Sequence, residues 1–211
     1  MPTFEDVAHA GMKALVSMIP LLGAAGSELI GLLTSPLAQR RDDWLVDLEH
    51  RLHDLEARVS GFRFDDLGQN EQFVSATLLA AQAAIRTHQE EKREALGNAV
   101  LNIAVSNLPA ADLQLVFLHL VDSFTPTHLQ VLSHFADKDR SGADRFRRDR
   151  DLTDQVVSDL SDRGLLRDTR PYAARGRDND EALVYYEWEV TNLGRQFLKC
   201  ISEPDATKER K

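Results

Sequence analysis

Few side chains in this sequence have the types and spacing that chemistry requires. His50, His53 and Asp54 lie close together in a charged helical stretch and could offer two imidazoles and a carboxylate to a metal ion. Their places in the apolar repeat of that stretch turn them toward solvent, where Glu49 and Asp54 serve more simply as helix-stabilising charges. Gly23, Gly26 and Ser27 imitate part of a phosphate-cradling loop, yet they follow an apolar helical stretch where such a loop would follow a strand, so helix packing is expected of them. His88, Glu90 and Glu91 mark a helix start, where carboxylates complement the positive end of the helix dipole. The single cysteine, Cys200, excludes both an intramolecular disulfide and a thiolate metal centre, and packing is its expected role. No nucleophile elbow, zincin helix or phosphate loop occurs. The expectation is a protein without catalytic residues, cofactor or metal, which works by binding.

The remaining chemistry is phosphate binding by arginine. Arg145, Arg147, Arg148 and Arg150 precede one helical segment, and Arg167, Arg170, Arg175 and Arg177 lie in the polar stretch after it. These eight could grip a nucleic-acid backbone, but Asp144, Asp149, Asp151, Asp168, Asp178 and Asp180 are interleaved with them, which also fits a salt-bridged solvated surface. The chain carries 25 Lys and Arg against 34 Asp and Glu, a net charge of −9. From Ser123 onward 16 basic side chains meet 17 acidic ones, leaving −1 where a DNA-binding module wants a surplus of positive charge. The segment between the clusters presents Asp154, Asp159 and Asp162 with only Arg163, and Gln155 is its lone candidate for reading a base edge.

The elements that must carry these residues are legible from local signals. Thr125 before Pro126 caps a helix with Leu129, Val131, Leu132 and Phe135 on its apolar side, ending in the polar run from Asp137 to Gly142. Thr153 is expected to cap the next helix, with Val156, Val157 and Leu160 inside and Gly164 closing it. Leu165 and Leu166 start a strand. Val184, Tyr186, Trp188 and Val190 alternate with polar neighbours as a second strand, and Thr191 or Asn192 opens a last helix with Leu193, Phe197, Leu198 and Ile201. The strings LTDQVVSDLSDRGLLRDT and VTNLGRQFLKCI resemble the recognition helix with its first wing strand and the closing strand and helix of bacterial winged-helix regulators, over about two-fifths of the chain. The resemblance implies a winged helix with a long wing from Arg167 to Glu181, and it leaves the ligand open, because winged helices bind proteins as well as DNA.

The amino-terminal part reads as helices throughout. From Ala14 to Gln39 the only charge is Glu28, but Pro20 and Pro36 interrupt the stretch, so a buried helical hairpin is expected rather than a membrane span, with insertion only after rearrangement. Gly23, Ser27, Gly31 and Ser35 recur every four residues and line one helix edge with small side chains, a surface for close approach of another helix. Leu45, Leu48, Leu52, Leu55, Val59 and Phe62 form a heptad seam that could pack on this chain's own bundle or pair with a second copy. A loop at FRFDDLGQN, a helix with Phe73, Val74, Leu78, Leu79 and Ile85 inside, a helix opened by Thr87 and Glu90 as a capping box, and a helix with Leu113, Val116, Phe117, Leu120 and Val121 complete the bundle. The layout, with QFVSATLLAAQAAIRTHQEEKREALGNAVLNIA, resembles bacterial abortive-infection proteins of the alpha type over residues 1–120. That resemblance implies a non-enzymatic part in anti-phage defence.

These readings define a mainly α protein: a helical bundle over 1–122, a winged helix over 123–202 and a polar tail over 203–211. A cytoplasmic place is expected from the lone cysteine and from a start, MPTFEDVAHA, without the basic region of a secretory signal. The leading expectation is a homo-oligomeric interaction protein that takes a protein partner; DNA regulation and membrane activity are the alternatives.

Overall fold

A computed structural model describes residues 27–105, 110–137, 149–169 and 188–204, with side chains from residue 34 onward. The fold is mainly α with a small antiparallel strand pair near the carboxyl end. In chain order, the described elements are α1 Ser27–Arg58, a 3-10 turn Phe64–Gln69, α2 Glu71–Arg86, α3 Glu90–Ala104, α4 Ala111–Ser123, α5 Pro126–Ala136, α6 Arg150–Asp162, β1 Leu166–Asp168, β2 Trp188–Val190 and α7 Asn192–Ile201. The chain divides into two compact units, Met1–Gln39 and Arg40–Lys211. Helix α5, α6, the two strands and α7 share one continuous hydrophobic core with α2 through α4 and with the part of α1 from Arg40 onward.

Helix α3 occupies the middle of that core. Every residue from Ala95 to Ala104 is buried, as befits a helix that is largely apolar all round and packs against α2, α4 and α7. The buried side of α2 is rich in alanine, with Ala76, Ala80, Ala83 and Ala84 all but fully buried. Of the larger side chains expected inside α2, Phe73 is buried, Leu78, Leu79 and Ile85 are half-buried and Val74 is exposed.

Three polar side chains interrupt the apolar surface of α3, and each meets a group that would otherwise be unpaired. The last carbonyls of a helix have no partner within it. Asn102, 2% exposed, donates through Nδ2 to the carbonyls of Cys200 at 2.9 Å and Ser202 at 2.8 Å, closing the end of α7. Asn98 donates to the Ile201 carbonyl at 2.8 Å and accepts from the Arg51 guanidinium of α1. Gly97 leaves the room that guanidinium needs, since a Cβ there would stand 2.9 Å from Arg51 Nη1. Lys92 donates to the Asp122 carbonyl at 2.8 Å in the last turn of α4, where a cation also suits the helix dipole.

Several starts and ends differ from their sequence expectations. Pro36, expected to interrupt the apolar stretch, lies inside α1, which continues from Ser27 through Arg58, and Ser35 is exposed; residues 14–26 of the expected hairpin lie outside the described residues. The proline forfeits one N–H, and the turns on either side carry the helix past it. The heptad seam ends with the helix at Arg58, and Val59 and Phe62 pack half-buried against the core from the turn closed by Gly61, whose φ of 77° is left-handed. Thr87 does not cap α3; its hydroxyl accepts from the Gln89 N–H at 3.1 Å and turns the chain two residues before the helix starts. Thr153 sits inside α6, buried, because Asp149 caps that helix with its carboxylate on the Leu152 N–H, and Thr153 donates back to the Asp149 carbonyl at 2.9 Å. FRFDDLGQN is not simply loop: it forms the 3-10 turn, and Asn70 then caps α2 by accepting from Phe73 N–H at 3.1 Å.

Other local readings agree with the structure. Thr125 precedes α5 with Pro126 at its first position, Gly164 ends α6 at φ 73°, and Thr191 caps α7 by accepting from Gly194 N–H at 3.0 Å. Gly194 is required where it stands, since a Cβ would overlap the Leu165 carbonyl oxygen and lie 2.7 Å from Val190 Cγ1. Leu166 pairs with Val190, Arg167 with Glu189 and Asp168 with Trp188.

Removing the donor that ends α7 tests this arrangement. Asn102→Ala should cost about 1–3 kcal/mol in urea unfolding, because buried carbonyls lose their partner, whereas the exposed Gln82→Ala should change stability by about 0.5 kcal/mol or less.

Candidate functional site

The helix between the two arginine clusters, α6, is the element on which the sequence placed its candidate ligand-reading residues. Its buried side, Thr153, Val156, Val157 and Leu160, faces the core and fixes which residues turn outward. Outward lie Arg150, Asp151, Leu152, Asp154, Gln155, Ser158 and Asp162, with Asp159 at the margin. From Asp149 to Arg163 five aspartates meet two arginines, a net charge of −3. Asp149 and Asp151 stand at the amino end of the helix, where they already complement its dipole and would compete with a phosphate for the same N–H groups. Leu152, 45% exposed, adds an apolar side chain among these carboxylates.

The arginines expected to grip phosphate are engaged where the structure describes them. Arg150 Nε stands 3.9 Å from Asp154, one turn along α6. Arg167 Nη2 donates to Glu189 Oε2 at 2.7 Å and Nε to the same oxygen at 3.2 Å, a pairing that the strand register imposes by setting the two residues opposite each other. The Arg163 guanidinium lies over the Phe124 ring, 5.2 Å from its centroid, and Arg195 donates to the Val190 carbonyl at 2.6 Å. Gln155, the lone candidate for reading a base, donates to Asp159 Oδ1 at 2.9 Å. Arg145, Arg147, Arg148, Arg170, Arg175 and Arg177 lie outside the described residues, as do Asp144, Asp178 and Asp180.

No family model, curated protein or solved structure matches this chain.

Behind α6, His128 joins two helices. Thr125 N–H donates to its Nδ1 at 3.2 Å, and its Nε2 stands 3.4 Å from Asp159 Oδ2. Burial pushes its pKa below the usual histidine range, against the raising effect of the Asp159 carboxylate and with smaller lowering contributions from Arg163 and Lys92. Sequence reasoning passed over this residue, although a ring nitrogen three positions after a threonine cap is the signal of a reciprocal cap. Lys92 was likewise missed; burial lowers its pKa more than the Asp122 carboxylate raises it.

The metal-like fragments resolve into local contacts. Among the described residues no group of three or more His, Cys, Asp or Glu could hold a metal ion. His50 is exposed, and His53 stacks on Phe64 with ring centroids 4.3 Å apart. Glu90 and Glu91 occupy the first turn of α3, as the dipole argument expects. Gly23 and Gly26 lie outside the described residues.

The expected self-association residues separate into two groups. Leu48, Leu52 and Leu55 are buried at 3%, 4% and 0% exposure by this chain's own core, together with Trp44, and Leu45 packs half-buried beside them. A second copy is not needed to cover that seam. Of the small-residue edge, Gly23 lies outside the described residues, Ser27 and Gly31 are seen as α1 backbone, and Ser35 is exposed. Among the described residues no helix is long and apolar enough to cross a membrane.

Cys200 is fully buried in α7 and its thiol is pushed up to about 12 by burial. Iodoacetamide at about pH 8 should therefore leave the native chain unlabelled and modify Cys200 only as urea unfolds it. Rapid labelling of the native protein would contradict this packing.

Proposed function

We propose that this chain is a non-enzymatic binding protein in which α5, α6, the strand pair and α7 act as a winged helix that takes a polypeptide partner on the outward side of α6. The observation that carries the reading is the net charge of −3 on α6 and its flanking residues, with both described members of the arginine clusters, Arg150 and Arg167, set against carboxylates. A duplex presents about one negative charge per 1.7 Å of its length, so such a helix would meet repulsion in a groove. A protein surface carrying Lys or Arg around an apolar pocket for Leu152 would find complementary charge there. In this reading, self-association falls to the part of α1 before Arg40, because the leucine seam beyond it is already covered within the chain.

A gel shift with mixed-sequence duplex DNA should show no complex at low salt. A complex whose affinity falls steeply with added salt would replace the protein-binding reading by the DNA-binding one. Static light scattering should give a mass above one chain for the natural protein and a lower mass for Ser35→Arg. A monomeric natural chain would remove self-association from the proposal.

A further inference from the structure

The cap of α5 uses an ionisable acceptor. Thr125 N–H, at the start of that helix, donates to His128 Nδ1 at 3.2 Å, and the Thr125 hydroxyl lies 2.8 Å from the same nitrogen. A nitrogen that accepts from a backbone N–H carries no proton, so the ring hydrogen belongs on Nε2, directed at Asp159 Oδ2 in α6 at 3.4 Å. The ring is 8% exposed and stacks on Phe124, with centroids 4.7 Å apart and planes 8° from parallel. Among the described residues the charged groups around it are Asp159 from α6, Arg163 from the turn after α6 and Lys92 from α3. Arg163 also covers the Phe124 ring on which the imidazole stacks. Two cations and one carboxylate thus surround the histidine.

We propose that His128 is an acid-sensitive latch between α5 and α6. Neutral, it ends the amino-terminal cap of α5 on one side and holds Asp159 on the other. Acid must add its proton at Nδ1, the only ring nitrogen without one. The Thr125 hydroxyl can turn to accept that new N–H, but the Thr125 backbone N–H cannot, and loses its acceptor. The same proton places a third positive charge beside Arg163 and Lys92 in a position that little water reaches. Asp159 compensates only in part, because burial outweighs its attraction for the charged ring. Loosening the latch therefore alters the outward side of α6 as well as its seat on α5.

The sign follows from linkage. Burial, the largest influence, lowers the His128 pKa in the folded chain below the 6.5 of an unfolded histidine. The unfolded chain takes up the proton first, so the contribution is complete above that value and is lost as pH falls through the folded pKa. A separation of one pH unit between the two states changes the folding equilibrium by about tenfold.

The chain has seven histidines, so the test is a difference between two proteins. Thermal unfolding of the full chain and of His128→Gln is followed from about pH 8 to about pH 5. Glutamine keeps an uncharged acceptor three residues after the threonine. The natural chain should lose more Tm on acidification than the variant, and its His128 ring protons should titrate in NMR below 6.5. Identical pH profiles for both proteins, or a ring titrating at or above the unfolded value, would overturn the latch. Should the glutamine variant fail to fold, the ring titration of the natural chain decides alone.

Discussion

A helix buried on nearly all sides cannot leave polar side chains or neighbouring backbone groups unsatisfied, and α3 meets both demands with the same three residues. Asn98 and Asn102 end α7, and Lys92 ends α4, each by donating to carbonyls that have no acceptor role left within their own helix. The arrangement fixes where α7 lies along α3. That in turn places Phe197 edge-on against Phe117 at 5.4 Å and Phe124 at 5.9 Å, and sets Gly194 against the Leu165 carbonyl. The bundle and the helix-and-strand part are thus one body of packing from Arg40 onward, and the strand pair, short as it is, rests on a core it does not have to supply.

That rigid interior determines what the surface around α6 can do. A run of arginines in a sequence advertises phosphate binding, but a guanidinium already set against a carboxylate has little positive potential to offer. The antiparallel register brings Arg167 opposite Glu189, and helical spacing brings Arg150 beside Asp154. The helix between them carries its carboxylates outward because its valines and Leu160 are required inside. Charge on this surface is thus a by-product of which residues the core has claimed.

Much of the fold was legible in the sequence where one residue decides a local event. Thr125 with Pro126, Gly164 and Thr191 each act within one helical turn, and each does in the structure what its chemistry predicts. Errors arose where two local signals competed. Asp149 and Thr153 are both capping types four residues apart, and the carboxylate upstream won, drawing the threonine into the helix. Pro36 signalled a break, yet one missing N–H is too small a loss to stop a helix of 32 residues. In α2 the apolar pattern marks Phe73 correctly as buried, but most of the buried side falls to alanines, whose small size gives a weak periodic signal.

The sequence by itself determined the class of fold, the order of helices and strands, and an acidic α6, because capping, periodicity and net charge depend only on neighbours a turn or two away. The tertiary structure decided which residues those elements would spend on one another. Asn98 reaches the Ile201 carbonyl across 103 residues, Arg51 reaches Asn98 across 47, and His128 reaches Asp159 across 31. No spacing rule joins such pairs. They form only when packing has brought helix ends, with their unsatisfied carbonyls and N–H groups, against the few polar side chains that the core retains.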